Sequence, residues 1–433
     1  MKIINGKSYD VVVCGSGSAG FCAAVQSARA GMKTAIIEKY GMPGGIMTVM
    51  GNNDVAQFYA HKKQVISGIG WEFILRLAEH GFADIPDMTV DAPHWKYGVH
   101  VNIVAAAHVI DSMLIEAGVD IYYNQPVVEV EVSNSTKDNL KMIDSVIIST
   151  KSGLKRISAK MFIDCSGDGD ICAWAGADYE CGDEVTGALQ PGTIRYYFDI
   201  NFRDNCDLKS YKDITEKLKE AYNNGTLLYP DTMKRDFETL INANGNNVNH
   251  ISGYNGGDSD SKTKCDIEGR ASVYRLMKSI HNITKHPGIV NIAPEVGMRE
   301  TRRIICDTYI TVDEYVSAYE YPDSICNSFY PIDLHRDGME KIYQIFLTDG
   351  KVPKIPLSAL IVKGFDNLYV AGRCASGDRL AHSAFRVKAS CMAMGQASGA
   401  AAAVAVKENN ASSRGCCLEH IKEILREHRA IVP

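Results

Sequence analysis

The glycine-rich turn near the N-terminus is the feature that most constrains the fold. Residues 9–14 (YDVVVC) form a valine-rich apolar run, typical of a strand buried on both faces of a parallel sheet. The turn at residues 15–20 (GSGSAG) follows at once, and residues 21–30 have the pattern of a helix that Gly31 ends. Residues 33–38 are a second apolar strand that ends on an acid. This order predicts a βαβ unit of a doubly wound α/β domain.

Each part of the turn has a physical role in binding a dinucleotide. Gly15 permits the tight turn, Gly17 lets a pyrophosphate approach the backbone, and Gly20 lets the helix pack closely on the strand. Ser18 and Ala19 lie in the turn directly before the predicted helix, whose N-terminal amides stabilise the phosphates. The motif therefore predicts that the first strand, turn and helix bind the ADP half of a dinucleotide.

An acid and a glycine pair follow the turn. Glu38 lies 18 residues after Gly20, near the spacing of about 20 for a carboxylate that binds the adenosine ribose, and an acid there disfavours a 2′-phosphate. Gly44 and Gly45 come next, after a short loop. Taken alone, this pair is also compatible with a plain glycine-rich turn. Acid, short loop and Gly-Gly resemble the flavoproteins with the glutathione-reductase type of FAD domain, in which the second glycine lies against the pyrophosphate.

Three later blocks extend this resemblance to the bacterial FAD-dependent oxidoreductase family, a distant relative of the flavin subunit of heterodisulfide reductase. They are residues 161–170 (MFIDCSGDGD), 297–304 (GMRETRRI) and 367–399, which contains NLYVAGRC, FRV and CMAMGQASG. The resemblance implies FAD as cofactor, with backbone groups near Val128 at the adenine. It also implies contacts with FAD from Lys39, Gly44, Gly45, Thr48, Ser166, Gly167, Gly372, Arg373 and Val387. The chain departs from the family at Arg379, Ser383 and Ala389, so the resemblance does not supply a substrate.

The expected fold is α/β, with a Rossmann-like FAD-binding domain of the glutathione-reductase type and an inserted α+β substrate domain. We predict the first part of the FAD domain over residues 1–180, a substrate or cap domain over 181–345, and the C-terminal part over 346–433. Residues 127–130 and 146–148 predict a hairpin around a polar loop at 133–139. Residues 195–200 predict an aromatic strand, and the polar residues 242–264 predict loops of the substrate domain.

Composition and spacing disfavour several other classes. The net charge of −6 comes from scattered charges, so we expect no nucleic-acid partner. A polar start and the lack of a run of about 18 apolar residues predict a cytoplasmic protein without a membrane partner. The 13 cysteines contain no Cys-x-x-Cys, and the histidines have no ligand spacing, so no metal is expected. A homo-oligomer remains open.

Four residues are candidates for catalysis. His335 follows Asp333 by two residues on an extended stretch, so the two side chains share a face and the carboxylate can tune the imidazole. His382 is the second histidine candidate. Arg299 is suited to anchoring an anionic substrate, whereas Arg303 is more typical of a structural ion pair, and Arg386 precedes the last long helix. For each, a purely structural role is the alternative.

These features predict an FAD-dependent oxidoreductase that acts on a small polar metabolite by hydride transfer to or from flavin N5. No second glycine fingerprint follows residue 170, so no separate nicotinamide-binding domain is expected. The alternative is a flavin-binding subunit that passes electrons to a partner protein within a larger redox complex.

Overall fold

The computed structural model describes residues 2–90, 93–135, 139–204, 208–232, 236–336, 342–348 and 350–433. Its strands, in chain order, are β1 Ile3–Cys14, β2 Thr34–Ile37, β3 Asp54–Val55, β4 Tyr59–Ala60, β5 Lys63–Gln64, β6 Ala83–Asp84, β7 Val99–Val101, β8 Asp120–Tyr122, β9 Val127–Asn134, β10 Lys141–Thr150, β11 Gly153–Asp164, β12 Tyr179–Cys181, β13 Tyr196–Phe198, β14 Ile289–Ile292, β15 Arg302–Ile304, β16 Ser324–Asn327, β17 Ile332–Leu334, β18 Tyr343–Ile345, β19 Lys354–Pro356 and β20 Leu368–Val370.

Its α-helices are α1 Ser18–Arg29, α2 Ile69–Ala78, α3 Ile103–Glu116, α4 Asp170–Trp174, α5 Ile200–Asp204, α6 Leu208–Asn223, α7 Tyr229–Thr232, α8 Phe237–Ala243, α9 Ser259–Thr284, α10 Val312–Ser317, α11 Arg379–Phe385, α12 Lys388–Glu408 and α13 Leu418–Glu427.

The main sheet positions the candidate site. Strands β8, β2, β1 and β11 are parallel neighbours in that order, and β20 pairs in parallel with the C-terminal half of β11. The N-terminal half of β11 pairs with β1 on one side, and on the other side it forms an antiparallel meander with β10 and β9, which confirms the predicted hairpin. Residues 136–138 of its predicted loop lie outside the described residues. The α/β, Rossmann-like prediction is confirmed, and the carboxyl ends of β1, β11 and β20 meet at one edge of the sheet.

Two local predictions need correction. Helix α1 begins at Ser18, three residues before the predicted start, because the last residues of the glycine turn already have helical backbone conformation. The polar stretch at 242–264 is not all loop, since α9 begins at Ser259. The Asp258 side chain accepts a hydrogen bond from the backbone N–H of Ser261 and caps that helix. Polar composition was misleading here, because an exposed helix face is polar as well.

Helix α12 crosses α1 at very short range. A Cβ at Gly395 would lie 2.0 Å from the carbonyl oxygen of Ala19, and one at Gly399 would lie 2.4 Å from that of Ala23. Among the described residues, α12 is also the one helix long and apolar enough to cross a membrane, which corrects the expectation that the chain lacks such a run. Because 89% of its most apolar window is buried inside the protein, α12 is accounted for as a core helix.

Three hydrophobic cores are present among the described residues. One contains α1 and α12, a second lies on the opposite face of the main sheet, and a third draws its buried residues from positions 194–298. Apolar residues between 310 and 361 pack into the first core, together with α1. The division of the chain at residues 180 and 345 stays a prediction.

Candidate active site

The glycines of the first turn divide into two kinds. Gly15 has φ +99°, and a Cβ there would lie 2.3 Å from the carbonyl oxygen of Cys165. A Cβ at Gly20 would lie 1.8 Å from the carbonyl oxygen of Gly15. At Gly17, by contrast, a Cβ would meet no described atom within 4 Å. Gly15 and Gly20 are therefore required by packing, whereas Gly17 opens onto space at the start of α1.

Glu38 and Gly45 face this space. The Oε2 atom of Glu38 accepts hydrogen bonds from the backbone N–H and the hydroxyl of Ser16, both at 2.8 Å, and its Oε1 accepts from the N–H of Tyr40 at 3.0 Å. A Cβ at Gly45 would lie 3.2 Å from the Cα of Gly17, so the two glycines stand opposite each other. The buried carboxylate is thus held at the edge of the open space, where a ribose hydroxyl can reach it.

A cavity of about 460 Å³ begins at this turn, a size within the usual range of about 300–1,000 Å³ for ligand sites. The predicted FAD-binding residues that line it are Gly15, Gly17, Ser18, Ala19, Glu38, Lys39, Gly45, Ser166, Gly167, Gly372, Arg373 and Val387. Of the predicted catalytic residues, Arg299, His335 and Arg386 line it as well. We call the region of Gly15, Gly17, Glu38 and Gly45 the glycine-turn end, and the region of Arg299, Asp333, His335 and Arg386 the histidine end.

Four predicted FAD-binding residues lie outside this lining. Gly20 packs on the turn, as described above. The Gly44 N–H donates to the carbonyl of Ser16 at 2.8 Å, and the hydroxyl of Thr48 donates to the carbonyl of Pro43, so these two residues shape the loop. Val128 is 48% exposed, and its neighbour Val127 faces the cavity because side chains alternate along a strand. A backbone contact near Val128 stays a prediction.

Asp168 is a cavity residue that the sequence analysis missed. Its Oδ1 accepts a hydrogen bond from Arg373 at 2.7 Å and another from the hydroxyl of Thr301 at 2.9 Å. Arg373 also donates to the hydroxyl of Thr301 at 3.0 Å. This triangle joins the end of β11 to the end of β20, and it neutralises the charge of Arg373 inside the site. Asp168 lies in the SGDGD run, so its motif was a usable signal.

His335 sits in a chain of hydrogen-bonding side chains. Its Nε2 is 3.3 Å from Oδ2 of Asp333, and its Nδ1 is 3.1 Å from Nε2 of His250. The sequence predicted that His335 lies beside Asp333, whereas no sequence pattern pointed to His250. Burial, together with the nearby charge of Arg299, lowers the pKa of His335 to about 4. His335 is therefore neutral near pH 7 and able to accept a proton.

Arg299 and Arg386 approach the same point from different segments. Arg299 donates to the carbonyl of Pro191 at 2.5 Å and to the side chain of Asn247. Arg386 donates to Oε1 of Gln190 at 3.2 Å and to the backbone carbonyl of Asp333 at 3.3 Å. Burial and then the charge of Arg386 lower the pKa of Arg299 to about 9. Two like charges are thus held close together with neutral partners.

His382 lies behind the cavity and does not line it. The residue is fully buried, and its Nε2 contacts the backbone carbonyl of Arg373. Burial lowers its pKa well below the usual value. This placement gives His382 a structural contact, and its catalytic role stays a prediction.

Tyr330 and Lys388 are further cavity residues that were not singled out. The ammonium of Lys388 donates to Oδ1 of Asn52 at 2.9 Å and to the carbonyl of Asp54 at 2.7 Å, and burial lowers its pKa to about 8. Tyr330 lines the cavity beside the histidine end. Lys388 directly follows Val387, and Tyr330 begins the stretch that contains Asp333 and His335. Closeness in sequence to these predicted residues was the signal that could have identified both. Across the described ranges, no cluster of three or more His, Cys, Asp or Glu is arranged to hold a metal ion.

Comparison with known protein families gives a match that spans nearly the whole chain. The model of a family described as FAD dependent oxidoreductase matches residues 10–424. The chain belongs to this family. Its cofactor is FAD, as the glycine pair and the later blocks predicted. No curated protein matches the sequence.

Among solved structures, the similarities are weak and cover the fold only. THI4 of Thermovibrio ammonificans matches with 19% identity and a TM-score of 0.29, over 40% of this chain and 64% of that one. OxyS, an anhydrotetracycline hydroxylase of Streptomyces rimosus, matches with 12% identity and a TM-score of 0.41, over 98% of this chain and 66% of that one. A flavoprotein/dehydrogenase of Cytophaga hutchinsonii matches with 14% identity and a TM-score of 0.43, over 96% of this chain and 82% of that one. The chain thus spans less than two thirds of the first two proteins.

The residues of this oxidoreductase fit FAD. Gly17 occupies the N-cap position of α1, where no side chain caps the helix and a Cβ would enter open space. Val387 occupies the same position on α12, again without a side-chain cap, and it lines the same cavity. Two long helices therefore present uncapped N-termini to one cavity, which suits a ligand with a pyrophosphate at one place and an electron-rich ring edge at another.

Proposed function

We propose that this enzyme transfers a hydride between flavin N5 and a small polar metabolite, and that His335 carries the accompanying proton. One observation supports this most strongly: the imidazole of His335 and most of the predicted FAD-binding residues line one continuous cavity. Bound FAD supplies the two-electron acceptor or donor. The protein has to hold the substrate, move one proton and balance the charge that develops.

The environment of His335 suits proton transfer. Its lowered pKa keeps the imidazole neutral, so it accepts a proton from a substrate O–H or N–H in the direction of oxidation. The adjacent carboxylate of Asp333 stabilises the imidazolium that forms. In the direction of reduction, that imidazolium returns the proton to the substrate.

Both ring nitrogens of His335 have partners in the protein, so a substrate has to replace one of them. Asp333 lines the cavity, whereas His250 does not. We therefore assign the exchange to Nε2, whose 3.3 Å contact with Asp333 is the longer of the two. With the substrate in place of Asp333, the neutral ring carries its proton on Nδ1 and donates it to Nε2 of His250, so that the Nε2 lone pair of His335 accepts the substrate proton. His250, on the other side of the ring, fixes the orientation of the imidazole through Nδ1.

Anaerobic titration of the flavin absorbance against a panel of hydroxy and amino metabolites tests this function. We expect one chemical class to bleach the flavin, His335→Ala to slow the bleaching strongly, and His281→Ala, an exposed control on α9, to leave it unchanged. An enzyme that no metabolite bleaches would contradict the proposal. Bleaching only by a copurifying partner protein would favour the electron-transfer subunit instead.

A further inference from the structure

The arginines around the cavity differ in how their charge is balanced. Four have a carboxylate partner, in the pairs Arg302–Asp170 at 2.7 Å, Arg303–Glu300 at 2.8 Å, Arg373–Asp168 at 2.7 Å and Arg379–Glu300 at 3.1 Å. Arg303 in particular forms the structural ion pair that the sequence predicted. Arg195, Arg299 and Arg386 line the cavity and are different, because none of them has a described carboxylate within 4.0 Å of its guanidinium. Arg195 donates to the carbonyl of Gly51 and the side chain of Asn53, whereas Arg299 and Arg386 lie at the histidine end.

The hydrogen bonds of these two arginines leave donors free. The two terminal nitrogens of Arg299 donate hydrogen bonds to the backbone carbonyl of Pro191 and to the side-chain carbonyl of Asn247. Arg386 uses one terminal nitrogen, and its enclosed Nε has no hydrogen-bond partner within the described part of the chain. Nε of Arg195 and Nε of Arg303 are likewise enclosed without a described partner. Since buried polar groups are normally satisfied, the N–H of Arg386 points to a ligand because this residue also lines the cavity at the histidine end, beside Arg299.

The charges at the histidine end do not cancel. Arg299 and Arg386 each contribute one positive charge, Asp333 contributes one negative charge, and His335 is neutral near pH 7. One positive charge is left over in an enclosed space, which is unfavourable unless an anion joins it. A guanidinium presents its N–H groups in a planar fork that matches a carboxylate.

We infer that the substrate is a carboxylate-bearing metabolite whose carboxylate binds between Arg299 and Arg386. This inference rests on the proposed function and adds the substrate's charge to it. The carboxylate holds the rest of the molecule beside His335, so the carbon that exchanges the hydride lies within a few bonds of the acid group. Burial is the main cause of the lowered pKa of His335, and the charges of Arg299 and Arg386 add to it. A bound carboxylate offsets part of that positive charge, so the substrate itself makes the imidazole a stronger base.

Binding of a non-reactive probe tests the inference on the FAD-loaded enzyme. Sodium acetate and acetamide have nearly the same shape and differ in charge. At constant ionic strength and pH 7, we expect acetate to perturb the flavin absorbance saturably and to bind at least about tenfold more tightly than acetamide. Equal affinity for the two probes would overturn the inference, and this comparison needs no variant.

Variants then assign the site. Arg299→Gln and Arg386→Gln should each weaken acetate binding by about 10- to 100-fold, since a charge-assisted hydrogen bond is lost. Arg270→Gln, on the exposed face of α9, should bind acetate as the unmodified enzyme does. FAD content and the thermal unfolding profile identify any variant that fails to fold. If Arg299→Gln fails to fold, Arg299→Lys takes its place, because lysine keeps the positive charge. We expect the acetate affinity of Arg299→Lys to lie between those of the unmodified enzyme and Arg299→Gln.

The result separates the two proposals. Acetate binding through both arginines, in an enzyme that no metabolite bleaches, would keep the anion site and reject the proposed function. Bleaching by a substrate without an acid group, with no acetate binding, would keep the function and reject the inference. Loss of FAD from Arg386→Gln, without acetate binding in the unmodified enzyme, would assign these arginines to the flavin and also reject the inference.

Discussion

The residues of the glycine-turn end come from one short stretch, residues 15–45, whereas those of the histidine end come from segments spread over residues 299–386. At the first, the buried carboxylate of Glu38 is satisfied by three protein donors, and Gly15 is dictated by contacts within the protein. At the second, like charges lie side by side and the pKa of His335 is displaced. The difference shows that the glycine-turn end is built locally, whereas the groups of the histidine end are assembled from distant parts of the chain.

Removing the imidazole at the histidine end should have the largest effect. General acid–base catalysis contributes about 10²- to 10⁴-fold, so His335→Ala should slow flavin reduction by substrate by that factor. The FAD content should stay the same, because the glycine-turn end is untouched. Stopped-flow absorbance measures the rate, and His281→Ala is the control. A variant that loses FAD instead would show that the two ends are not separable.

A pair of glycine variants tests the opposite end. Gly20→Ala places a Cβ 1.8 Å from a carbonyl oxygen and should lower the free energy of unfolding of the FAD-free chain by about 3 kcal/mol or more. Gly17→Ala adds a methyl group to open space, so it should leave that stability nearly unchanged and weaken FAD binding. Urea unfolding and FAD titration measure the two quantities. Equal destabilisation by both would contradict the division between packing and binding glycines.

Neutralising Glu38, the carboxylate predicted to bind the ribose, should have a smaller effect. Glu38→Gln keeps the shape and loses the charge, so FAD affinity should fall by about 1.5–3 kcal/mol, the contribution of a hydrogen bond to a charged group. Flavin fluorescence during reconstitution reports the affinity. Glu427→Gln, an exposed change near the C-terminus, is the control. Unchanged affinity in Glu38→Gln would separate Glu38 from cofactor binding.

The smallest expected effect is a shift in pH dependence. His335 must be neutral to accept a proton, so kcat/KM for oxidation should be level well above the pKa of about 4 and fall as the pH drops through it. The charge of Arg299 contributes to that low pKa, so Arg299→Gln should move the acidic limb upward by about one pH unit. Arg299→Lys keeps the charge and should leave the limb in place. An unmoved limb in Arg299→Gln would show that the two groups are not coupled.

The sequence predicted most of the glycine-turn end, because strand, turn and helix follow one another and each glycine has a local reason. It also predicted that His335 and Asp333 share a face, since they lie two residues apart on one strand. It did not predict His250, and it did not show that the catalytic candidate His382 lies outside the residues that line the cavity. Contacts between residues 85 or more positions apart depend on how lobes pack, and no short pattern encodes them.

The close crossing of α12 on α1 has a consequence for the order of events during synthesis. Helix α1 emerges from the ribosome with the first 30 residues, yet the glycines that let its partner approach are Gly395 and Gly399. Until those residues have been translated, the βαβ unit has one uncovered apolar face, and β11 lacks its neighbour β20. The nascent chain therefore has its phosphate-binding turn early and its closed flavin pocket late, so we expect stable cofactor loading to follow the completion of α12.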